Sequence, residues 1–551
     1  MRTWLMAVWL GLFPVLGFAQ EQVVVTDADI AAGDSVVWTA DHEYILDGLV
    51  YAEEGARLYI EAGTVIKARQ NPTTGDRTSA LIITQGAKIY AMGTPARPVI
   101  FTAESDDLND PADLGIDDRG LWGGLILLGR ARINTASGVG QIEGIDPNEP
   151  RGAYGGTDDH DSSGELHYVS IRHGGSELAP GDEINGLTMG AVGDGTKVDH
   201  VEIISNLDDG VEFFGGTVNI KYLVSAFNAD DGIDYDQGFR GKGQYWFVLQ
   251  AADFAGRCAE QDGGTDPEDG KPYAVPVIAN ATYIGPGTAV FPQGDGGELM
   301  IFRDNAGGKY YNSIFTEYNG AKGGVGIKIE DLSSGQDSRQ RLESGDLSLV
   351  NNIWWNFAAG NDWPHISPQD FVRSYLTDHQ NRIVDPQLAG ISRSLDGKLD
   401  PRPNPDGPAA AGAVAVPDSF FDSVDFLGAF DPNAPLWLKG WTALSAYGIL
   451  TGVADRRGGT KTVLEAPGLL RNYPNPFNPG TTVVYSVEQR GHVTLSVYNP
   501  LGQRVALLVD KEQAAGRYAV QWNAADQPAG IYFSRLITPS SAKTGKMILS
   551  K

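Results

Sequence analysis

The sequence predicts an all-β protein in which a β-solenoid is followed by a small β-sandwich. Short apolar segments recur between residues 45 and 360, separated by turns rich in Gly, Asn and Asp. No convincing amphipathic helix lies between these segments, which favours stacked strands. The chain of 551 residues also contains 70 glycines, about twice the usual share, as expected for many tight turns.

The charge is unevenly distributed along the chain. Lys and Arg number 42 against 70 Asp and Glu, a formal net charge of −28. Residues 471–551 contain nine basic and four acidic residues, a net of +5, which leaves −33 on the preceding part. Two differently charged parts indicate at least two domains. The shortage of clustered positive charge excludes nucleic acid and anionic lipid as partners, since both require basic surfaces.

The first 19 residues have the pattern of a secretory signal peptide. Arg2 precedes an apolar stretch from Trp4 to Phe18, and small residues predict cleavage after Ala19. The apolar stretch is shorter than the roughly 20 residues that span a bilayer, which favours a cleaved leader over a membrane anchor. No membrane span is therefore expected in the mature chain. Its single cysteine, Cys258, is predicted to be a buried small hydrophobe.

The central region contains an ungapped repeat of 22 residues, in which residues 198–214 align on residues 220–236. An earlier motif at 55–64 returns at 86–94, and weaker copies occur at 308–319 and 349–357. This period is typical of a β-solenoid, in which stacked turns supply the core; a globular sandwich or a propeller is the alternative. The register predicts the stacked pairs Val201 over Leu223, Val211 over Ile233 and Asn206 over Asn228.

The C-terminal region predicts a β-sandwich. It begins with the proline-rich run Tyr473-Pro-Asn-Pro-Phe-Asn-Pro-Gly480, which cannot be helical. Strands of five to seven residues follow, separated by turn signals. They are expected at residues 481–487, 492–498, 504–509, 518–522 and 531–537.

This region resembles the type A C-terminal sorting domain of proteins exported by the type IX secretion system. The matching blocks are the Tyr473 run, Val497-Tyr-Asn-Pro-Leu-Gly502, Gly516-Arg-Tyr…Trp522, Pro528-Ala-Gly-Ile-Tyr-Phe533 and Lys546-Met-Ile-Leu-Ser-Lys551. The resemblance implies an Ig-like fold, the type IX secretion machinery as a partner, and delivery to the cell surface or the medium. An ordinary carbohydrate-binding or spacer sandwich is the alternative.

Residues 20–400 resemble right-handed parallel β-helix surface proteins. The resemblance rests on segments such as Tyr44-Ile-Leu-Asp-Gly48, Trp122-Gly-Gly-Leu125 and the Asn-x-Asp-Asp-Gly repeats, and handedness is implied by it alone. Residues 401–451 are interpreted as a cap over the last rung, because open solenoid ends need a different surface. Residues 452–470 are predicted to be a linker to the sorting domain at 471–551.

The repeat places acidic residues above one another at a strand spacing of about 4.8 Å. Like charges at that distance repel by about 0.9 kcal/mol per pair in water and about 3.5 kcal/mol at an effective dielectric of 20. Clustered carboxylates suit Ca²⁺, so calcium between rungs is one hypothesis; turn formation by the same Asp side chains is the other. The candidate ligands are Asp208, Asp209, Glu212, Asp230, Asp231, Asp234 and Asp236, with Asp159 and Asp161 in a second, weaker loop.

Four histidines form a possible zinc set, although their spacing fits no helical pair and a structural role is favoured. They are His160, His167, His173 and His200. A polysaccharide lyase would need a basic residue beside the acidic ladder, and Lys221, Arg240 and Lys242 are near it in sequence. No repeat register places any of them there.

Aromatic residues of the later rungs provide a third kind of site. An exposed row of rings could stack on sugar, although packing in the core is the favoured alternative. The candidates are Trp246, Trp354, Trp355 and Trp363. The expected function is therefore non-catalytic glycan binding or adhesion with structural calcium. A polysaccharide lyase or glycoside hydrolase is the second possibility, and a structural surface-layer component is the third.

Overall fold

The computed structural model describes two units, one within residues 1–453 and the other within 454–551. The described residues are 21–550 except 109–112, 180–181, 253–255, 265, 288–296, 320–323, 334, 358–359, 453–469, 474–476, 488–489, 515 and 540–541. The predicted signal peptide with its cleavage at Ala19 lies outside them, as does nearly all of the predicted linker.

The first unit contains 33 strands and four short α-helices in its described part. Two 3₁₀ turns lie at Asp27–Asp29 and Pro150–Gly152. The strands are β1 (Glu21–Val25), β2 (Ser35–Trp38), β3 (His42–Leu46), β4 (Leu49–Ala52), β5 (Arg57–Ile60), β6 (Val65–Ala68), β7 (Ala80–Ile83), β8 (Lys88–Met92), β9 (Val99–Ala103), β10 (Leu125–Leu128), β11 (Gly140–Gln141), β12 (Ala153–Tyr154), β13 (Gly164–Arg172), β14 (Glu177–Ala179), β15 (Asp182–Glu183), β16 (Leu187–Gly190), β17 (Lys197–Ile204), β18 (Val211–Phe214), β19 (Asn219–Ala226), β20 (Ile233–Asp236), β21 (Lys242–Leu249), β22 (Ala259–Asp262), β23 (Val277–Ala279), β24 (Thr282–Ile284), β25 (Glu298–Arg303), β26 (Gly308–Tyr311), β27 (Ile314–Tyr318), β28 (Val325–Ile329), β29 (Leu347–Val350), β30 (Ile353–Phe357), β31 (Arg382–Ile383), β32 (Leu388–Gly390) and β33 (Asp400–Pro403). The helices are α1 (Ser338–Ser344), α2 (Trp363–Ile366), α3 (Asp370–Asp378) and α4 (Ala443–Ala446).

These strands form a parallel β-helix with three faces. Face 1 stacks β2, β5, β8, the first halves of β13, β17, β19 and β21, and then β23, β26 and β29. Face 2 stacks β1, β3, β6, β9, the second halves of the same long strands, and β24, β27, β30 and β31. Face 3 is the nine-stranded sheet from β4 to β28. The predicted solenoid is confirmed.

The 22-residue register is also confirmed. Val201 pairs with Leu223 in face 2, and Val211 pairs with Ile233 in face 3. All four side chains are buried in the main core. The predicted asparagine ladder forms at a turn, where the Asn206 backbone N–H donates to Asn228 Oδ1 at 3.0 Å. Cys258 is buried, as expected.

The corner between faces 1 and 2 is a column of residues with positive φ, from 49° to 61°. Its members on successive rungs are Tyr168, His200, Tyr222, Tyr245, Asn280, Asn312, Asn351 and Gln380. The first four rings stack with centroids 4.2, 4.3 and 4.8 Å apart. Left-handed backbone is unusual for Tyr and His, so this stacking and the packing above it hold the corner in place.

The predicted cap does not cover the last rung, and this interpretation is corrected. Residues 401–450, called the strap below, run along the side of the β-helix and cover the corner column. Trp437 and Trp441 pack on the His200 ring, while Asn312 Nδ2 donates to Val414 O at 2.9 Å. The last rungs are instead covered by α2 and α3, whose Ile366, Val372 and Leu376 enter the main core.

His173 joins the strap to the β-helix. Its Nδ1–H donates to Asp118 O at 2.6 Å, which leaves Nε2 to accept from the Tyr447 hydroxyl at 2.9 Å. Burial lowers the pKa of His173 to about 4. The folded protein therefore holds this imidazole neutral, whereas the unfolded chain protonates it near pH 6.5.

We expect His173 to make stability fall as the pH drops from about 6.5 towards 4. Protonation favours the unfolded chain over this window, by up to about 3 kcal/mol if the whole shift is expressed. Urea unfolding of wild type and His173→Gln at pH 7 and pH 4.5 measures the effect, which the variant should lack. Gln70→Ala is the control, because it changes an exposed side chain that has no titratable group. Equal pH slopes in wild type and His173→Gln would contradict the prediction.

The second unit is an antiparallel β-sandwich, as predicted. One sheet has the order β34–β35–β38 and the other β37–β36–β39–β40. Their inner faces form a separate core that includes Val483, Leu495, Trp522 and Leu536. The strands are β34 (Leu470–Tyr473), β35 (Gly480–Val487), β36 (Gly491–Tyr498), β37 (Arg504–Gln513), β38 (Gly516–Asn523), β39 (Gly530–Ile537) and β40 (Ala542–Leu549).

Candidate functional site

The acidic ladder lies on face 3 and on the turns that lead into it. Glu212 of β18 pairs with Asp234 of β20, as the repeat predicts. One turn earlier in each rung, the Asp231 backbone N–H donates to Asp209 Oδ1 at 2.8 Å. This hydrogen bond shows that the two Asp-Asp-Gly turns stack directly on each other. Glycine at the third position lets each turn approach its neighbour.

Three carboxylates of these turns converge. One oxygen from each of Asp208, Asp209 and Asp230 lies within 4.8 Å of the other two. Asp209 is buried, Asp208 is half-buried and Asp230 is exposed, so the cluster opens to solvent on one side. Burial, followed by the neighbouring carboxylates, raises the pKa of Asp209 well above its usual range. This cluster is the part of the ladder that can hold a cation.

The remaining predicted ligands have other surroundings. Asp231 is bound by Arg257, whose Nη1 lies 3.5 Å from Asp231 Oδ2 and whose backbone N–H donates to Oδ1. Glu212 accepts a hydrogen bond from Asn185 Nδ2. Asp234 has a buried Oδ1 without a hydrogen-bond partner among the described residues. Burial and like charges raise the pKa of all three carboxyls.

The ladder continues over two further rungs that the sequence repeat did not reveal. Glu260 pairs with Asp234, and Arg303 pairs with Asp262 across β22 and β25. The Arg257 guanidinium contacts Asp231, Glu260 and Glu298. The added charged residues are Arg257, Glu260, Asp262, Glu298, Arg303 and Lys328. The alternation of Glu260 and Asp262 in a short segment was the one sequence signal that could have found them.

Comparison with known families identifies the fold. Residues 30–363, more than half of the chain, match the pectate-lyase-like β-helix domain. The chain belongs to this family. Residues 471–550 match the secretion system C-terminal sorting domain. No curated protein matches the chain.

The two matches describe an exported β-helix protein. The sorting domain directs the chain through the type IX machinery, its partner in export, to the cell surface or the extracellular space. Among the described residues, no helix combines the length and apolarity that crossing a membrane requires.

The second predicted calcium loop makes other contacts in this pectate-lyase-like domain. Arg132 Nη1 lies 2.9 Å and Arg240 Nη2 lies 3.0 Å from the Asp159 carboxylate. Asp161 Oδ2 accepts the Arg130 backbone N–H at 2.9 Å. Two guanidinium groups already neutralise Asp159, so these acids fix loops to one another.

The four histidines do not form one zinc site. His160 pairs with Asp194 at 2.7 Å and His173 with Tyr447, while His167 and His200 share Asp199, at 2.8 and 2.9 Å. The three basic residues near the ladder in sequence are likewise engaged elsewhere. Lys221 pairs with Asp422 and Lys242 with Asp418 of the strap, while Arg240 pairs with Asp159.

The predicted aromatic row is wrong for two of its four members. Trp246 and Trp354 are both 0% exposed, and their indole N–H groups donate to Ile220 O and Asn381 Oδ1. Both residues point inward because they occupy the core positions of β21 and β30. Trp355 and Trp363 are half-buried, so part of each ring is accessible.

Proposed function

We propose that the exported β-helix is a non-catalytic glycan-binding or adhesion protein whose acidic ladder holds structural Ca²⁺. The carboxylate cluster of Asp208, Asp209 and Asp230 is the observation that carries the calcium part. Ca²⁺ binds oxygen at 2.3–2.6 Å, so ligands on opposite sides of the ion are about 4.6–5.2 Å apart. The three carboxylate oxygens lie within 4.8 Å of one another, which fits this ion.

The cluster also has the chemistry and the position for a structural ion. Its ligands are hard oxygen atoms, and its open side leaves room for the water that completes six to eight ligands. Asp208 and Asp209 belong to one rung and Asp230 to the next, so an ion held by all three would cross-link adjacent turns. Its positive charge would offset the burial and the repulsion that together raise the pKa of Asp209.

We expect Ca²⁺ to raise the thermal unfolding midpoint of the full chain, and a chelator to remove the gain. At a free concentration of 100 times Kd, a ligand that binds only the folded state stabilises it by about 2.7 kcal/mol. Asp208→Asn with Asp209→Asn should abolish the shift, while Asp406→Asn, an exposed carboxylate of the strap, should retain it. Identical midpoints with Ca²⁺ and with chelator would contradict the calcium hypothesis.

Glycan binding is supported by the export route and by the fold. A protein delivered outside the cell meets polysaccharide and cell-surface carbohydrate, and the long faces of a solenoid offer extended binding surfaces. Trp355 and Trp363 are the remaining members of the predicted aromatic row. Binding of the full chain to a panel of acidic and neutral polysaccharides tests this part of the proposal.

A polysaccharide lyase is the second candidate, because the structure does bring arginines to the ladder. Arg257 contacts Asp231, and Arg303 Nε lies 2.8 Å from Asp262 Oδ1. A general base must give up its proton near the working pH. The surrounding carboxylates do the opposite, since they outweigh burial and raise the pKa of both guanidinium groups. The pairs therefore favour charge neutralisation over catalysis.

We expect no cleavage products from the full chain. The assay is the release of reducing ends and of unsaturated uronides from acidic and neutral polysaccharides, with and without added Ca²⁺. Neither product should rise above a control without protein. Uronide release that disappears in Arg303→Gln would favour the lyase and overturn the non-catalytic proposal. A surface-layer role, the third possibility, would give neither glycan binding nor cleavage.

A further inference from the structure

Face 1 displays a pair of stacked tyrosines on neighbouring rungs. Tyr59 of β5 pairs with Tyr90 of β8, and the ring centroids are 4.9 Å apart with an angle of 10° between the planes. Tyr59 is 37% exposed, whereas its strand neighbours Leu58 and Ile60 are buried in the core. Because successive side chains of a strand point to opposite faces, both tyrosine rings point outward.

Further apolar side chains extend this pair in two directions. Val37, the partner of Tyr59 on the preceding rung, is 53% exposed. Met92, two residues after Tyr90 on the same side of the strand, is 42% exposed. Single exposed apolar residues are ordinary, but a contiguous group is informative. These four residues, Val37, Tyr59, Tyr90 and Met92, are called the tyrosine platform below.

Polar groups of both signs border the tyrosine platform. Arg57 pairs in register with Lys88 beside the rings. In the described part of the chain, neither cation has a carboxylate partner and neither tyrosine hydroxyl has a hydrogen-bond partner. Most described Lys and Arg side chains of the β-helix do have such a carboxylate, for example Lys67 and Arg69.

On the next two rungs of the same face lie two ion pairs. Lys197 Nζ is 2.7 Å from Glu165 Oε1, and His167 Nδ1 is 2.8 Å from Asp199 Oδ2. The border of the platform therefore offers donors and acceptors together, and Arg57 and Lys88 are its charges without an opposite partner among the described residues. A polyanion would meet Glu165 and Asp199, on a body whose formal charge is −33.

We propose that the tyrosine platform binds a neutral polysaccharide, with the chain lying along the helix axis. Rings and aliphatic groups contact the C–H surfaces of the sugars. The tyrosine hydroxyls, Arg57 and Lys88 bind sugar hydroxyls, which act as both donors and acceptors. This inference rests on the proposed glycan-binding function and assigns its site and ligand class.

The test measures binding of the full chain to laminarin, a neutral β-glucan, and to polygalacturonate. Tyr59→Ala with Tyr90→Ala should weaken laminarin binding at least about tenfold, because it removes the ring surface. Arg57→Gln with Lys88→Gln should weaken it by less than about threefold, since glutamine keeps a donor. Trp355→Ala reports on the alternative aromatic site, while Phe533→Ala, which removes an exposed ring from the second unit, is the control and should bind as wild type. Binding should be the same at low and high salt, as no charge pair is formed.

Each contrary outcome has a separate meaning. Polygalacturonate binding that weakens with salt would overturn the neutral ligand class. Laminarin binding lost in Trp355→Ala but kept in the double tyrosine variant would overturn the platform and leave glycan binding intact. Failure of the wild type to bind either polymer would overturn the proposed function itself. Tyr59→Phe with Tyr90→Phe preserves the stacked rings, so a loss in that variant isolates the hydroxyls from any effect on folding.

Discussion

Arg257→Ala is expected to destabilise the β-helix by about 3–5 kcal/mol, the cost of leaving buried charges without their partner. The Arg257 side chain is 7% exposed and serves three carboxylates, Asp231, Glu260 and Glu298. Glu298 is 1% exposed, and in the described part of the chain its other ionic partner is Lys328, at 2.6 Å. Without the guanidinium, these acids must either repel one another or take up protons. Urea unfolding at pH 7, followed by tryptophan fluorescence, measures the loss.

Two further variants separate charge from packing in this experiment. Arg257→Met combined with Glu298→Gln removes charge from both sides, so it should recover part of the lost stability. Lys398→Ala, which breaks an exposed pair with Asp396, should cost no more than about 1 kcal/mol. If Arg257→Ala unfolds at the same urea concentration as Lys398→Ala, the ionic cluster does not stabilise the rungs.

The sequence was sufficient for the part of the fold that repeats without insertions. Val201, Leu223, Val211 and Ile233 could be placed because inward residues of adjacent rungs must be apolar together. The sorting domain could be placed by its motifs. The acidic turns followed from the same register, since Asp-Asp-Gly occurs at the same point of both repeats.

The rest depends on contacts that no local pattern reports. The spacing between paired residues of face 3 changes from 22 residues for Val211–Ile233 to 26 residues for Ile233–Ala259. The 22-residue repeat therefore does not predict that Arg257 lies beside Asp231 on the next rung. Trp246 and Trp354 could not be told from surface aromatics, because both faces of their strands carry large side chains. The strap was misplaced because its partners, such as Glu202, are more than 200 residues earlier.

Glu202→Ala is expected to release the strap from the β-helix while the rungs stay folded. Glu202 is 0% exposed, and its carboxylate accepts the backbone N–H groups of Ala443 at 2.6 Å and Leu444 at 3.2 Å. It also accepts the Ser170 hydroxyl at 2.6 Å. Removing the acceptor leaves the two buried backbone donors of the strap unpaired, at about 1–3 kcal/mol each. Hydrogen exchange should rise at residues 443 and 444 far more than in β17 and β19.

The pH dependence of a milder variant identifies the charge state of Glu202. Burial raises the pKa of this carboxyl, so its contribution to stability is full below the unfolded pKa and declines as the pH rises through the folded one. Glu202→Gln has no such titration. Its stability deficit relative to wild type should therefore be largest in acid and shrink towards neutral pH. Glu61→Ala, an exposed change in the same β-helix, should have a flat profile within about 0.5 kcal/mol. A deficit that grows with pH would show instead that the strap is held by an ionised Glu202.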